Sequence, residues 1–86
     1  MDINQLIELV KKKIEAAIII EDIKIEDKTF LHEGHLSNQK GKFHIKLIIK
    51  SSDLKKKNKI DSTKLIYKVL DEEIKKYIHS IQIFIE

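Results

Sequence analysis

The chain contains no cysteine among its 86 residues. A disulfide framework, a thiolate nucleophile and a Cys-X-X-Cys metal site are therefore excluded. Any metal must be held by histidine or carboxylate ligands, or by thiolates that a partner supplies. Four histidines are the candidates for such ligands: His32, His35, His44 and His79.

Arginine is also absent, so all 17 basic residues are lysines, and the net charge is +3. The guanidinium group is the usual bidentate reader of guanine and of carboxylates, and a lysine ammonium does not replace it. The excess of positive charge therefore predicts mild, non-specific attraction to polyanions.

No apolar run approaches the roughly 20 residues that are needed to span a bilayer. Met1 leads directly into an amphipathic pattern with the acidic residues Asp2 and Glu8, which is not the pattern of a targeting peptide. With 42% hydrophobic residues the composition is globular. We therefore expect one domain over residues 1–86 in a cytoplasmic protein.

Apolar residues at helical spacing predict two helices. The first is expected from about Ile3 to Ala16, with Asp2 and Gln5 at the spacing of a capping box. The second is expected from about Ser62 to Lys76, with Asp61 or Ser62 as its cap.

Alternating apolar and polar residues predict three strands. The first surrounds Ile23 and Ile25, and the second runs from about Lys42 to Lys50. The third runs from Ile78 to Ile85, where strict alternation predicts that His79 shares a face with Ile81, Ile83 and Ile85. The polar segment 51–59 is expected to be a surface connection with at most one helical turn near residues 52–55.

The resulting order of helix, strand, strand, helix, strand predicts an α+β fold with a three-stranded mixed sheet and helices on one face. A helix between the second and third strands is the usual parallel crossover. Parallel pairing brings the starts of those two strands to one edge of the sheet, so His44 and His79 should lie close together. The loop that carries His35 enters at the same edge.

Several motifs together resemble the BolA-like protein family. They are Gly34-His35, Phe43-His44 opening the segment HIKLIIKSSDL, then LIYKVLDEEI and IHSIQI. The resemblance covers almost the whole chain and implies an αββαβ fold similar to the class II KH topology.

The resemblance also implies a monothiol glutaredoxin partner, with which the protein bridges a [2Fe-2S] cluster. Cysteine and glutathione thiolates come from the glutaredoxin, and histidine ligands come from the BolA-like protein; histidine ligands tend to raise a cluster's potential. His79 matches the family's C-terminal histidine, and His35 matches a loop position occupied by Cys or His. The isolated chain is expected to bind no cofactor and to be a monomer or a weak homodimer.

Each histidine also has a plainer interpretation. His79 could be a structural residue bonded to backbone, His35 an exposed turn residue, and His44 a solvent-facing strand residue or a hydrogen-bonding neighbour that orients a ligand. His32, three residues before His35, lacks the two further ligands of a zinc site and is interpreted as loop.

The alternative function is a nucleic-acid-binding transcriptional regulator that uses the KH-like fold and a lysine-rich surface. The absence of arginine, of a GxxG loop and of paired surface aromatics argues against it. An enzyme is not expected, because Ser51, Ser52 and Asp53 show no activated nucleophile with an orienting base. The lysines of the alternative are Lys55, Lys56, Lys57, Lys59 and Lys64.

Overall fold

The amphipathic segment after Asp2 forms helix α1 (Ile3–Ala17) in the computed structural model, which describes residues 1–29 and 42–86. The Asp2 carboxylate accepts a hydrogen bond from the Gln5 backbone N–H at 2.8 Å, and the Gln5 side chain accepts one from the Asp2 N–H at 3.0 Å. Both halves of the predicted capping box are therefore present, and they fix the start of the helix.

Three strands form one sheet in the order β1 (Asp22–Asp27), β2 (Phe43–Lys50), β3 (Ile78–Ile85). Strands β1 and β2 are antiparallel, whereas β2 and β3 are parallel. The predicted α+β class with a three-stranded mixed sheet is confirmed, and so are the parallel crossover and the limits of the last strand.

The crossover contains three helices: the single turn that the sequence predicted near residues 52–55, and two helices where one was predicted over residues 62–76. They are α2 (Ser52–Lys55), α3 (Lys59–Val69) and α4 (Asp71–Lys76). The predicted caps were wrong, because Asn58 caps α3 by accepting a hydrogen bond from the Asp61 N–H at 2.8 Å. The expected long helix is interrupted at Leu70, which is fully buried and lies outside helical geometry at φ −100° and ψ 16°.

The core lies between the helices and one face of the sheet. Alternate residues of β2 point into it, which leaves the opposite face of the sheet to solvent. No helix within the described ranges combines the length and apolarity needed to cross a membrane. The buried apolar residues are Leu6, Val10, Ile14, Ile18, Ile45, Leu47, Ile49, Leu54, Ile66, Leu70 and Ile78.

A buried carboxylate joins the first helix to the last. Glu73 in α4 is 2% exposed, and its Oε2 lies 2.6 Å from the Lys13 Nζ in α1. The hydrogen bond to Glu73 raises the pKa of Lys13 above its ordinary value. This contact ties α4, and hence the chain that leads into β3, to α1.

Ser51 connects the end of β2 to two other segments. Its buried hydroxyl donates a hydrogen bond to the Ile19 carbonyl at 2.8 Å and accepts one from the Leu54 N–H at 3.2 Å. The serine thus caps α2 and satisfies a carbonyl of the connection between α1 and β1.

We predict that Ser51→Ala lowers the free energy of unfolding by about 2 kcal/mol, because it removes a helix cap and leaves the Ile19 carbonyl without its donor. Urea unfolding followed by circular dichroism measures the change. Ser80→Ala is the control, since that hydroxyl makes no hydrogen bond with the described residues. Equal stability of the Ser51 variant and the parent would contradict this role.

Glu21 makes a second contact with the start of α2, through Ser52. The Ser52 hydroxyl donates to its carboxylate at 2.6 Å and the Ser52 N–H donates at 3.1 Å. These hydrogen bonds hold the pKa of Glu21 below its ordinary value of 4.5, and the bond from the Ser52 hydroxyl has the largest effect. A carboxyl group with a lowered pKa stabilises the fold above pH 4.5, and that stabilisation is lost as the pH falls through the lower, folded-state pKa.

We therefore predict that Glu21→Gln makes stability less sensitive to acid. The difference between the urea midpoints at pH 7 and pH 3 should be smaller in the variant than in the parent. Glu8→Gln, a change at an exposed position of α1, should leave this difference unaltered. The same acid response in the parent and the Glu21 variant would refute the prediction.

Candidate functional site

His44 is held at the start of β2 by hydrogen bonds to its backbone. Its carbonyl accepts from the Lys28 N–H at 2.7 Å, and its N–H donates to the Thr29 Oγ1 at 3.2 Å. Thr29 is itself fixed, because its N–H and hydroxyl both donate to the Asp27 carboxylate. His44 is only 3% exposed, so the predicted possibility of a solvent-facing strand residue is wrong.

His79 lies at an irregularity in the pairing of β3 with β2. Phe43 pairs with Ile78, but the next pair is His44 with Ser80, so β3 has one extra residue at this point. That residue is His79, and the irregularity is a β-bulge. The prediction that His79 shares a face with Ile81, Ile83 and Ile85 is wrong, because a bulge interrupts the alternation of side chains.

The bulge brings the two imidazoles into contact. Their ring centroids are 4.9 Å apart and the ring planes are inclined at 58°. His44 is buried whereas His79 is exposed, so His79 is the member of the pair that a partner can reach. The predicted convergence of His44 and His79 at one sheet edge is confirmed.

This geometry is compatible with metal ligation by both rings. An imidazole nitrogen lies about 2.0–2.1 Å from a metal that it binds. When two imidazoles bind one tetrahedral ion, the centroids of their rings are therefore about 5 Å apart. Within residues 1–29 and 42–86, no group of three histidine or carboxylate side chains could hold a metal ion. The pair thus offers two ligands, and the described part of the chain offers no complete site.

His35 and His32 lie outside the described residues, so the convergence of His35 with the other two stays a prediction. The segment 30–41 is bordered by Thr29, which bonds to the His44 backbone, and by Lys42, which directly precedes β2. Both borders of the segment are at the edge where His44 and His79 meet.

The lysine-rich surface lies at the α2–α3 corner, toward the opposite end of β3. All five candidate lysines are exposed, and within the described ranges none makes an ion pair with a carboxylate. Next to this corner is a groove of about 410 Å³ that sequence reasoning missed. Its walls come from two segments that are distant in the sequence, 54–63 and 83–86, so no local pattern signals such a groove. Its lining is Leu54, Lys55, Lys57, Lys59, Ser62, Thr63 and residues 83–86.

The fold and the histidine pair define a small α+β protein with a candidate ligand-binding edge. The family described as BolA-like protein matches residues 14–86. The DNA-binding transcriptional regulator BolA of Haemophilus influenzae is 33% identical over 81 residues, which cover 94% of this chain and 73% of that protein. The chain therefore belongs to the BolA-like family, as its motifs predicted.

Solved structures agree with this assignment. The BolA domain of SufE1 from Arabidopsis thaliana has a TM-score of 0.78 and 25% identity, over 92% of this chain and 87% of that one. BolA1 from Arabidopsis thaliana has a TM-score of 0.75 and 20% identity, over 91% and 86% of the two chains. The fold of this chain is thus that of known BolA domains.

Proposed function

We propose that this protein is a non-enzymatic adaptor that binds a monothiol glutaredoxin and shares a bridging [2Fe-2S] cluster with it, in iron-sulfur trafficking or iron regulation. The observation that carries the proposal is the contact between the His44 and His79 rings, with centroids 4.9 Å apart, at one edge of the sheet. Membership of the BolA-like family supports it, because the sequence resemblance implies this partner and this cluster.

His79 is the primary ligand in this proposal. It is exposed at a bulge, and bulges often aim a side chain at a functional site. His35 is its proposed companion. The buried His44 either orients the His79 ring or serves as the second ligand itself.

The donor set fits a shared cluster. A [2Fe-2S] cluster takes four ligands, and two histidines can replace two cysteines on one of its irons. This chain has no cysteine. In the proposed complex its histidines are therefore the ligands of one iron, and cysteine and glutathione thiolates from the glutaredoxin side are the ligands of the other. Bound in this way, the cluster supplies one-electron redox chemistry or is passed to a client.

We predict that adding the protein to a cluster-loaded monothiol glutaredoxin changes the visible absorption and circular dichroism spectra, because histidine replaces thiolate on one iron. With His79→Ala the mixture should keep the spectrum of the glutaredoxin homodimer. Gln82→Ala, at an exposed position of the same strand, is the matched control and should behave like the parent.

Two results would contradict the adaptor function. The first is a mixture with the parent protein whose spectrum equals that of the glutaredoxin homodimer alone. The second is a spectral change that persists unaltered in the His79 variant and in the corresponding His35 and His44 variants. Circular dichroism in the far ultraviolet checks that each variant is folded.

A second candidate is nucleic-acid binding in transcriptional regulation. It is favoured by the five exposed lysines at the α2–α3 corner and by the name of the Haemophilus relative, a DNA-binding transcriptional regulator. Lysine side chains neutralise the phosphates of the nucleic acid backbone. Such contacts support binding but distinguish poorly between base sequences.

If this second function holds, binding to duplex DNA should survive at ~200 mM salt and should be lost when the five lysines are changed to alanine. A titration of labelled duplex over a range of salt concentrations measures this, with Lys11→Ala and Lys12→Ala on α1 as the control. Parent binding that disappears by ~200 mM salt would instead mark simple charge attraction.

A further inference from the structure

Strand β3 is the outermost strand on one side of the sheet, and among the described residues only β2 pairs with it. The edge here means the unpaired side of β3. Near its end the Glu86 N–H donates to the Ile49 carbonyl at 2.7 Å, and the Glu86 carbonyl accepts from the Ser51 N–H at 3.2 Å. Both backbone groups of Glu86 thus point toward β2. Because consecutive strand residues point their backbone groups to opposite sides, those of Ile81, Ile83 and Ile85 point to the other side.

The second half of this strand, from Ser80 to Ile85, lacks the sequence features that usually protect an edge strand. Soluble proteins blunt exposed edge strands with lysine, proline, a bulge or an inward-pointing charge. Between Ser80 and Ile85 the strand has no proline and no charged residue, and its bulge lies before this stretch, at His79. The second half of β3 therefore has a regular edge that is suited to pairing with a further strand.

The groove lies beside this half of the edge. Its apolar lining residues are Leu54, Ile83, Phe84 and Ile85, and three lysines, Lys55, Lys57 and Lys59, also line it. Glu86 is the acidic residue in the lining. A ligand at this place meets backbone donors and acceptors, an apolar recess and an excess of positive charge.

The charge and the backbone pattern distinguish between possible occupants. A second copy of this chain would bring its own lysines to the same edge, and like charges would repel. In a nucleic acid strand the phosphate oxygens can pair with the lysines but only accept hydrogen bonds, so the carbonyls of Ile81, Ile83 and Ile85 would have to be met by its bases. An extended peptide has both donors and acceptors, and acidic side chains on it would complement the three lysines.

We propose that the second half of β3 and the adjacent groove form a docking site for an extended, acidic segment of a partner protein, which adds a fourth strand to the sheet. An apolar side chain of the segment enters the recess beside Leu54, and acidic side chains face Lys55, Lys57 and Lys59. This site is separate from the histidine pair, because Ile85 lies six positions along the strand from His79, a distance of about 20 Å. Its test is therefore independent of the glutaredoxin proposal.

The first experiment measures backbone amide hydrogen exchange in the free protein by NMR. The amides of Ile81, Ile83 and Ile85 should exchange much faster than those of Gln82 and Phe84, which face β2. Slow exchange at all five positions in the free protein would show that the edge is already covered and would overturn the proposal. In that case, sedimentation at several protein concentrations shows whether a second copy of this chain is bound to the edge.

The second experiment selects binders from a random peptide library displayed on phage. Sequences that alternate acidic and apolar residues should be enriched. A synthetic peptide of the selected sequence should slow exchange at the three edge amides. The variant with Lys55→Glu, Lys57→Glu and Lys59→Glu should bind that peptide about tenfold more weakly or worse.

A charge-matched control separates the groove from overall charge. Lys11→Glu, Lys12→Glu and Lys68→Glu, all at exposed positions away from the groove, should leave peptide affinity within about twofold of the parent. The proposal is overturned if selection enriches no acidic sequences, if both triple variants lose affinity equally, or if a single-stranded oligonucleotide slows the edge amides while the peptide does not.

Discussion

Parallel pairing between β2 and β3 is the constraint on which both candidate surfaces depend. The pairing extends from the Phe43 N–H, which donates to the Tyr77 carbonyl at 2.8 Å, to the Glu86 N–H at the other end of the strand. Parallel strands need a long crossover, which α2, α3 and α4 provide. One end of the pair therefore carries the two histidines, and the other carries the groove against the α2–α3 corner.

His79 lies where that crossover joins β3. Glu73 ties α4 to Lys13 of α1, and Tyr77 separates α4 from β3. The pairing accommodates one extra residue there, and the extra residue is a histidine. A regular register would have pointed His79 toward the helices, away from His44 and from any partner.

Much of this arrangement could be predicted from local sequence signals. The limits of α1 followed from a capping box and an amphipathic stripe, and those of β2 and β3 from their apolar alternation. The order of elements and the pairing rules for crossovers were enough to place His44 and His79 at the same end of the paired strands, but the contact between their rings also needs the bulge.

The features that escaped prediction depend on contacts between distant segments. The apolar spacing continues through Leu70, so nothing local showed that the helix is interrupted at this residue. A bulge is a property of two paired strands, and the sequence of β3 alone does not contain it. The groove likewise exists only once β3 lies beside α2 and α3.

The two ends of β3 differ in chemistry, as the two proposed binding roles require. The histidine end offers nitrogen ligands and no cysteine, and in the proposed complex the thiolates come from the glutaredoxin. The groove end offers backbone groups and lysine charge, which favour an acidic peptide but no soft metal. Because about 20 Å of strand separates them, a protein bound at one end need not displace a segment bound at the other. In the two proposals taken together, a single small sheet binds a glutaredoxin at one end of β3 and an acidic segment of a second partner at the other.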